Sequence, residues 1–315
     1  MTNGPGRSGT SAGNAWPALP LTDWRDSYAT LHMWMQIVGK TRLALAPMEN
    51  HWWQVALYLT ERGLTTTSMH DGDRCLVVDF DFIAHTLVLR TTDGESRTLE
   101  LVAQPVAQFY GRYMEALRSL GIAARIMPRP VEVETAIPFA EDTTHAAYDA
   151  EAVQRWWRAT AQADRVFKQF RSRFTGKQSP VHFFWGSFDL ASTRFSGRTA
   201  PSHPGGAPNC PDRVMVEAYS HECCSAGFWP GGGPLDEAAF YAYAYPQPPN
   251  YAEQPVRPAA AHYHPAAREF ILPYEAVRTA ADPDAALLEF LQDTYEAAAR
   301  CGNWDRAALE RPDAG

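Results

Sequence analysis

Strand-like segments occur in two groups along this chain of 315 residues, and each group is enclosed by segments with helical periodicity. The strand-like runs are 52–59, 75–82, 86–90 and 97–102 in the first group, and 181–190, 214–221, 239–245 and 269–274 in the second. Helical segments begin near residues 23, 106, 148 and 283. Strands and helices do not alternate, and no GxGxxG or Walker-type loop is present, which argues against a nucleotide-binding α/β fold. The order predicts an α+β protein of antiparallel sheets flanked by helices.

Local signals mark several of the element boundaries. Asp93-Gly94 separates two strand-like runs and predicts a tight hairpin. Asp282-Pro283 is typical of the first residues of a helix and predicts the start of the last one. At the first helix, Thr22 or Asp23 is the predicted cap.

The order helix, strands, helix occurs twice, which predicts two similar halves. Residues 16–142 form the N-terminal half and residues 143–309 form the C-terminal half. The extended, proline-rich segment 126–139 is the predicted connection between them. Residues 1–15 are rich in Gly, Ser and Asn, which predicts a disordered tail.

Charge and cysteine content narrow the class of protein. A net charge of −8 argues against a duplex nucleic-acid binder and gives no reason to expect an anionic membrane surface as partner. No run approaches the roughly 18 apolar residues that span a bilayer, and the first residues lack the apolar core of a signal peptide. Five cysteines without framework spacing indicate reduced thiols in a soluble cytoplasmic protein.

The strands of the second half separate into two faces when their residues are sorted by the period of two of an extended chain. One face of the run 239–245 carries only tyrosines, while the other carries Phe and Ala. The same sorting places polar and aromatic groups together on two further runs. The resulting polar face consists of Trp185, Asp189, Glu217, Tyr219, His221, Tyr241, Tyr243 and Tyr245.

Two interpretations of this polar face remain open. A solvated face normally carries Lys, Glu and Thr, so a face of tyrosines and tryptophan indicates cover by the other half, by a loop or by a ligand. The composition favours structural cover slightly over a ligand pocket. A pocket of this composition would suit a polar ring compound or a cation.

Two arginines lie close together after the run 181–190. Arg194 and Arg198 are spaced by four in the segment 191–206, whose Gly, Ser and Pro content predicts a loop. They could together grip a carboxylate or phosphate, although arginines of an acidic protein more often pair with its own acids.

Metal ligation has only weak candidates. They are His182, His203, His221 and Glu222. No HExxH, CxxC or EF-hand pattern connects them, and the segment 255–267, which holds His262 and His264, is predicted as a loop. No motif identifies a cofactor.

The adjacent thiols Cys223 and Cys224 follow His221 closely, and a nearby imidazole can activate a thiol. Free cysteine is nevertheless among the most buried residue types. Both thiols are therefore interpreted as small core side chains.

Several sequence blocks resemble an uncharacterised bacterial family of unknown function, found in actinobacteria and proteobacteria. They are HFFWGSFDLA (182–191), TRFSGR (193–198), AYSHE (218–222), SAGFWPGGG (225–233) and FILPYEAVR (270–278). The resemblance covers about residues 16–309 and implies a stand-alone cytoplasmic protein without an established activity. Family members carry an aliphatic residue and a serine in place of Cys223-Cys224, which argues against an obligatory thiol chemistry, whereas His221 and Glu222 match.

The first functional hypothesis is a small-molecule enzyme whose site is the polar face of the C-terminal half. His221 acts as general acid or base and is oriented by Glu217 or Asp189. The predicted ligand-binding residues are Trp185, Arg194, Arg198, Tyr219, Tyr241 and Tyr243.

Two alternatives come from other classes of protein. One is a non-catalytic ligand-binding or assembly protein that stacks a ligand or a second subunit on the aromatic face. The other is a metal-dependent enzyme that uses a His cluster. The expected partner is a small polar or anionic molecule, and neither nucleic acid nor a membrane is expected.

Overall fold

The computed structural model describes residues 15–232 and 235–312, so the predicted tail lies outside the described residues except for its last position. The α-helices of this part are α1 (Arg25–Leu45), α2 (Val106–Ser119), α3 (Ala150–Ser172), α4 (Asp212–Ala218), α5 (Tyr274–Arg278), α6 (Pro283–Cys301) and α7 (Arg306–Leu309). The strands are β1 (Tyr58–Leu59), β2 (Gly63–Thr65), β3 (Met69–Asp71), β4 (Arg74–Asp81), β5 (Thr86–Thr91), β6 (Ser96–Glu100), β7 (His182–Phe184), β8 (Asp189–Thr199), β9 (His221–Trp229), β10 (Ala239–Tyr245), β11 (His262–His264) and β12 (Glu269–Pro273).

The strands form two six-stranded sheets. The first has the order β1-β2-β4-β5-β6, with β3 also paired to β4, and the second has the order β11-β12-β10-β9-β8-β7. All of these neighbours are antiparallel. The predicted α+β class is confirmed.

The turn and cap signals of the sequence had mixed outcomes. β5 and β6 form the predicted hairpin, in which Gly94 adopts a φ of 86° that favours glycine. Asp282 caps α6, because its side chain accepts a hydrogen bond from the backbone N–H of Ala285 at 3.0 Å. The predicted cap of the first helix is wrong, since Leu21–Asp23 is a 3-10 turn and α1 begins at Arg25.

Among the described residues, one β-bridge joins the edges of the two sheets. The backbone N–H groups of Leu57 and Phe183 each donate to the other residue's carbonyl at 2.9 Å. Trp156 of α3 packs against Phe82 of the first half and Phe183 of the second, so one buried cluster includes residues of both. The division of the chain at residue 142 stays a prediction.

Two predicted strands are wrong because short apolar runs fit a helix and a strand equally well. The first half of the run 52–59 belongs to the 3-10 segment Asn50–Val55, and only Tyr58–Leu59 is a strand. The run 214–221 is mostly α4, which starts after Pro211 with an acidic residue in its first turn. β9 therefore begins only at His221.

Two predicted loops contain strand, and one predicted strand contains a turn. β8 continues through most of the segment 191–206, and β11 occupies His262–His264. The run 181–190 is interrupted between β7 and β8 by a tight turn that ends at Phe188, whose φ is 60°. The alternation predicted across that run therefore fails at the turn.

The second sheet has one core face and one face lined by tyrosines. Phe240 and Ala242 of β10 point to the core face, where Phe240 contacts Phe167 of α3 and α6 packs on β10. Tyr241, Tyr243 and Tyr245 point to the other side and stay partly exposed, as their alternation predicted.

Candidate functional site

The face opposite the core of the second sheet is called here the tyrosine face, and it consists of Asp189, Ser225, Gly227, Tyr241 and Tyr243. Strand register brings them together, because Tyr241 lies opposite Gly227 and Tyr243 lies opposite Ser225. Across the next strand, Ser225 is opposite Thr193, and their hydroxyls are 2.9 Å apart. The side chains on the core face of the sheet are buried, whereas the tyrosine rings on this face are half-buried.

Tyr241 crosses strand β9 to reach Asp189. Its ring lies directly over Gly227, where an added β-carbon would be 2.2 Å from the ring carbon Cζ. The hydroxyl of Tyr241 donates a short hydrogen bond to Oδ2 of Asp189. Only the absence of a side chain at Gly227 allows this crossing.

Asp189 is held from its own side by the turn before it. The Ser187 hydroxyl donates to Oδ1 of Asp189 at 2.5 Å, and Phe188 precedes it in the left-handed region at a φ of 60°. A bulky residue with positive φ is strained and is often found beside functional groups. The carboxyl group is thus fixed by two hydroxyl donors and buried to 6% exposure.

A second pair of tyrosines extends this arrangement. The hydroxyls of Tyr219 and Tyr243 are 2.7 Å apart, and the rings of Tyr241 and Tyr243 stack at 6.0 Å. His203 stacks on Tyr219 with the ring centres 4.7 Å apart. Tyr219 comes from the residue after α4 and not from a strand, so tertiary packing alone places it here.

Glu132 is a candidate site residue that the sequence did not reveal. It adopts a φ of 58°, and its N–H donates to the Pro208 carbonyl at 2.7 Å. The Gln36 amide of α1 holds the preceding residue, Val131, by accepting from its N–H at 2.8 Å and donating to its carbonyl at 2.7 Å. A β-carbon on Gly186 would lie 2.0 Å from Oε1 of Glu132, so the carboxyl group is close to the turn that carries Asp189.

The structural basis of this arrangement is a fully buried glutamine of α1, Gln36. A buried amide needs hydrogen-bond partners on both its oxygen and its nitrogen. Gln36 meets this need with the backbone of Val131, and it thereby positions the neighbouring Glu132.

Three carboxyl groups with raised pKa values lie around the tyrosine face. Burial of the carboxyl group, together with the negative charge of Asp189, raises the pKa of Glu132 to about 7, although the residue as a whole is exposed. The same two causes raise the pKa of Glu269 to about 7. Burial raises the pKa of Asp189 as well, against the hydrogen bonds from Ser187 and Tyr241. None of the ion pairs between described residues includes any of the three carboxyl groups. The site is therefore electronegative and lacks a resident counter-charge at contact distance.

The predicted base His221 lies on the same side of β9 as Ser225 and Gly227, but at the opposite end of the strand from Asp189, so it does not join the residues of the tyrosine face. It is the first residue of β9, beyond a break in register between Phe195 and Thr199, and its ring is 5.6 Å from that of His51. Glu217 is on α4 and accepts from the His51 N–H at 3.4 Å. The predicted common strand face of Glu217, Tyr219 and His221 is wrong because residues 212–218 are helical.

The two predicted anion-binding arginines also lie elsewhere. Arg194 is on the core face, where its guanidinium lies 3.4 Å from the Phe170 ring centre and donates to the Phe170 carbonyl at 2.5 Å. Arg198 is paired with Glu222 at 2.6 Å, which is the pairing with the protein's own acids that the sequence left open. Neither guanidinium reaches the tyrosine face. Alternation along β8 directs Arg194 to the core side, and the ion pair with Glu222 holds Arg198.

The remaining predicted residues serve the packing between elements. Trp185 lies against Gly39 of α1 and donates from Nε1 to the Val55 carbonyl at 2.8 Å. His182 is buried, and desolvation, with the charges of Arg42 and Arg171, lowers its pKa to about 3. Within residues 15–232 and 235–312, no three His, Cys, Asp or Glu side chains are grouped to hold a metal ion.

Both thiols are buried: Cys224 belongs to the hydrophobic core, whereas Cys223 alternates to the other side of β9, opposite Tyr245. Burial raises the pKa of Cys223, and it raises the pKa of Cys224 to about 12, so neither is a thiolate at neutral pH. All five cysteines are free. A groove of about 450 Å³ between β6 and α2, lined by Arg97, Arg112 and Glu115 among others, belongs to the first half and does not include the tyrosine face.

Fold and site together define an α+β protein of two linked antiparallel sheets, with a face of tyrosines and carboxyl groups on the second. The chain belongs to a family of unknown function, DUF5996, whose family model matches residues 16–311. No curated protein and no solved structure matches it. In the described part of the chain, no helix combines the length and apolar character needed to cross a membrane.

Proposed function

We propose that this protein binds a small organic cation at the tyrosine face. The observation that carries the proposal is a group of three carboxyl groups, Asp189, Glu132 and Glu269. The negative charge of Asp189 raises the pKa of the other two, and none of the three has an ion-pair partner among the described residues. A ligand cation would supply the missing counter-charge. The half-buried rings of Tyr241 and Tyr243 add aromatic faces, which attract cations.

This proposal replaces the anionic molecule expected from the sequence. That expectation depended on Arg194 and Arg198, whose guanidinium groups are engaged away from the tyrosine face. Lys40 is the cationic side chain whose pKa responds to Glu132. Burial lowers that pKa to about 8, so the amine is still mostly protonated at pH 7 and loses its charge only as the pH rises past 8, and it forms no ion pair with Glu132 among the described residues. The cytoplasmic location and the bacterial origin stay proposals.

A matched pair of ligands tests the sign of the recognised charge. Tyramine and phloretate share a phenol ring and a short chain, but tyramine ends in an ammonium and phloretate in a carboxylate. Tyramine, agmatine or choline at about 100 times its Kd is expected to raise the unfolding midpoint by about 5 °C, because a ligand of the native state alone stabilises it. Phloretate is expected to leave the midpoint unchanged. A shift with phloretate, or none with any of the three cations, would contradict the proposal.

Binding of the cation is expected to strengthen by about tenfold between pH 6 and pH 8. Glu132 and Glu269 have pKa values of about 7, so both are mostly protonated at pH 6 and mostly ionised at pH 8. Loss of the Lys40 charge near pH 8 acts in the same direction. Calorimetric titration in two buffers of different ionisation enthalpy measures both the affinity and the protons released at pH 7. An affinity that stays constant or falls over this range would show that these carboxyl groups do not contact the ligand.

Acid–base catalysis on the bound cation is the second candidate function. It is favoured by the same pKa values, because a carboxyl group that titrates near neutral pH can both donate and accept a proton. Glu132, with Asp189 as its charged neighbour, then takes the role that the sequence assigned to His221.

A further inference from the structure

A second cluster of titratable groups lies at the opposite end of β9 from Asp189. It consists of His51, Lys177, Glu217 and His221 and is called here the histidine–lysine cluster. Nζ of Lys177 is 2.7 Å from Nε2 of His51, and the His51 and His221 rings are 5.6 Å apart. The proposed cation site does not include any of these side chains.

Lysine is a rare residue in this chain, which makes its positions informative. Of 28 basic side chains only three are lysines, namely Lys40, Lys168 and Lys177. An arginine guanidinium stays protonated in proteins, whereas a lysine amine can lose its proton and become a nucleophile. Lys168 forms an ordinary ion pair with Asp164 at 2.6 Å. Lys177 instead faces an imidazole nitrogen.

The tautomer of His51 is fixed by its other ring nitrogen. Nδ1 of His51 lies 2.9 Å from the Ala218 carbonyl, which can only accept, so Nδ1 carries the proton. Nε2 then presents a lone pair to Lys177, and the lysine amine is the donor. Burial lowers the pKa of His51, with the charge of Lys177 acting in the same direction, and the imidazole is neutral.

The backbone at His51 is strained and held in place. His51 and Trp52 adopt φ values of 60° and 61°, in the left-handed region that is strained for residues other than glycine. The Glu217 carboxylate accepts from the His51 N–H, and the His51 ring stacks on Phe195 at 4.6 Å. The imidazole is therefore rigidly directed at the amine.

Lys177 combines a reachable amine with a desolvated environment. Its side chain is exposed, while its Nζ lies 4.8 Å from the ring centre of Phe195 and 5.6 Å from that of Trp53. Burial of the amine lowers its pKa, and the charge of Glu217 acts in the opposite direction. A carbonyl compound can approach the amine from the solvent side.

We propose that Lys177 is a reactive amine that condenses with small aldehydes, with His51 as its general base. The Nζ lone pair attacks the carbonyl carbon and forms the C–N bond, while Nε2 of His51 accepts the Nζ proton. His51 returns that proton to the carbonyl oxygen, which gives the carbinolamine. The second N–H proton then passes through Nε2 to the new hydroxyl group, which leaves as water while the C=N bond forms. No oxidant or reductant is needed for this step.

Reductive trapping on the full-length chain tests this proposal. Propionaldehyde and cyanoborohydride at pH 7 convert each imine into a stable alkyl-lysine, and peptide mass spectrometry then follows all three lysines in one sample. Lys177 is expected to be modified about tenfold faster than Lys168, or more, because a positioned base assists it. Modification of Lys177 at or below the rate of Lys168 would overturn the proposal.

A variant and a pH profile test whether Lys177 reacts fast because of His51 or only because its side chain is exposed. His51→Asn is expected to slow labelling of Lys177 by about tenfold and to leave Lys168 unchanged. In the wild-type protein, the rate at Lys177 should level off at a lower pH than the rate at Lys168, which requires no variant to fold. An unchanged rate in His51→Asn, or identical pH profiles, would contradict the role of His51. Glu115→Gln, at an exposed residue of α2 that belongs to neither proposed site, should leave the labelling of Lys177 unchanged.

Discussion

Replacement of Asp189 by asparagine is expected to weaken binding of an organic cation by about 30-fold or more, without destabilising the free protein. Removing one partner of a buried charge pair costs about 2–5 kcal/mol of binding free energy. Asparagine keeps the shape of the side chain and can still accept the hydrogen bond from Tyr241. Calorimetric titration with the best ligand of the cation panel measures the loss.

The stability of the free Asp189→Asn protein provides a second measurement with a defined sign. Burial raises the pKa of Asp189, so the folded state disfavours its ionised form, and the wild-type protein loses stability as pH rises from the unfolded value towards the folded one. Asparagine removes this loss. The difference in free energy of unfolding between the Asp189→Asn variant and the wild-type protein, measured in urea, should therefore be larger at pH 8 than at pH 4, with the variant more stable.

Glu115→Gln is the matched control for the change in net charge. Glu115 is an exposed residue of α2 that pairs with Arg118 at 2.6 Å. Its replacement removes one surface charge from the first half of the chain, whereas the tyrosine face belongs to the second sheet. Affinity for the cation should stay at the wild-type value. Equal losses in the two variants would mean that overall charge attracts the ligand, and the proposed site would be wrong.

Gly227→Ala is expected to destabilise the protein by about 1–3 kcal/mol and to abolish the contact between Tyr241 and Asp189. The added β-carbon would lie 2.2 Å from the Tyr241 ring, so the ring has to move off strand β9. Backbone strain does not contribute, since Gly227 is not among the residues with positive φ. Urea unfolding measures the stability, and cation binding is expected to be lost together with the contact.

A double-mutant cycle isolates the ring as the cause. A Tyr241→Ala background removes the ring atoms that lie nearest to an added β-carbon on Gly227. Gly227→Ala should then stabilise the protein by about 0.5–1 kcal/mol, because alanine loses less conformational entropy than glycine in a strand. The substitution therefore changes sign between the two backgrounds. If Gly227→Ala has the same effect with and without the Tyr241 ring, the crossing of β9 does not explain why glycine occupies this position.

Local patterns predicted those parts of the fold that depend on neighbours along the chain. The hairpin at Asp93-Gly94 and the cap at Asp282 follow from backbone geometry within a few residues. The tyrosine stripe of β10 follows from alternation within one strand, and it proved to lie opposite the core face. For residues 214–218 the pattern could not decide between helix and strand. A run of five residues is too short to distinguish the helical period of 3.6 from the strand period of two.

The candidate site depended on contacts that no local pattern encodes. Glu132 reaches Gly186 only because Gln36 of α1 and Pro208 hold its backbone in a left-handed conformation. Two features of the sequence were consistent with such packing. Gly39 within a helix allows Trp185 to approach α1, and the buried Gln36 requires polar partners.

The sequence by itself determined the α+β class, the main helices and the tyrosine stripe, because these follow from periodicity and from turn chemistry within short segments. Only the tertiary structure decided which groups share a site. It placed Asp189 beside Tyr241 and Glu132 beside the turn at Gly186. It also brought His221 next to His51 and directed Arg194 to the core face. The physical reason is that the charge and burial that set the pKa of a side chain come from residues distant in the chain, and their positions are fixed only when the sheets and α1 pack together.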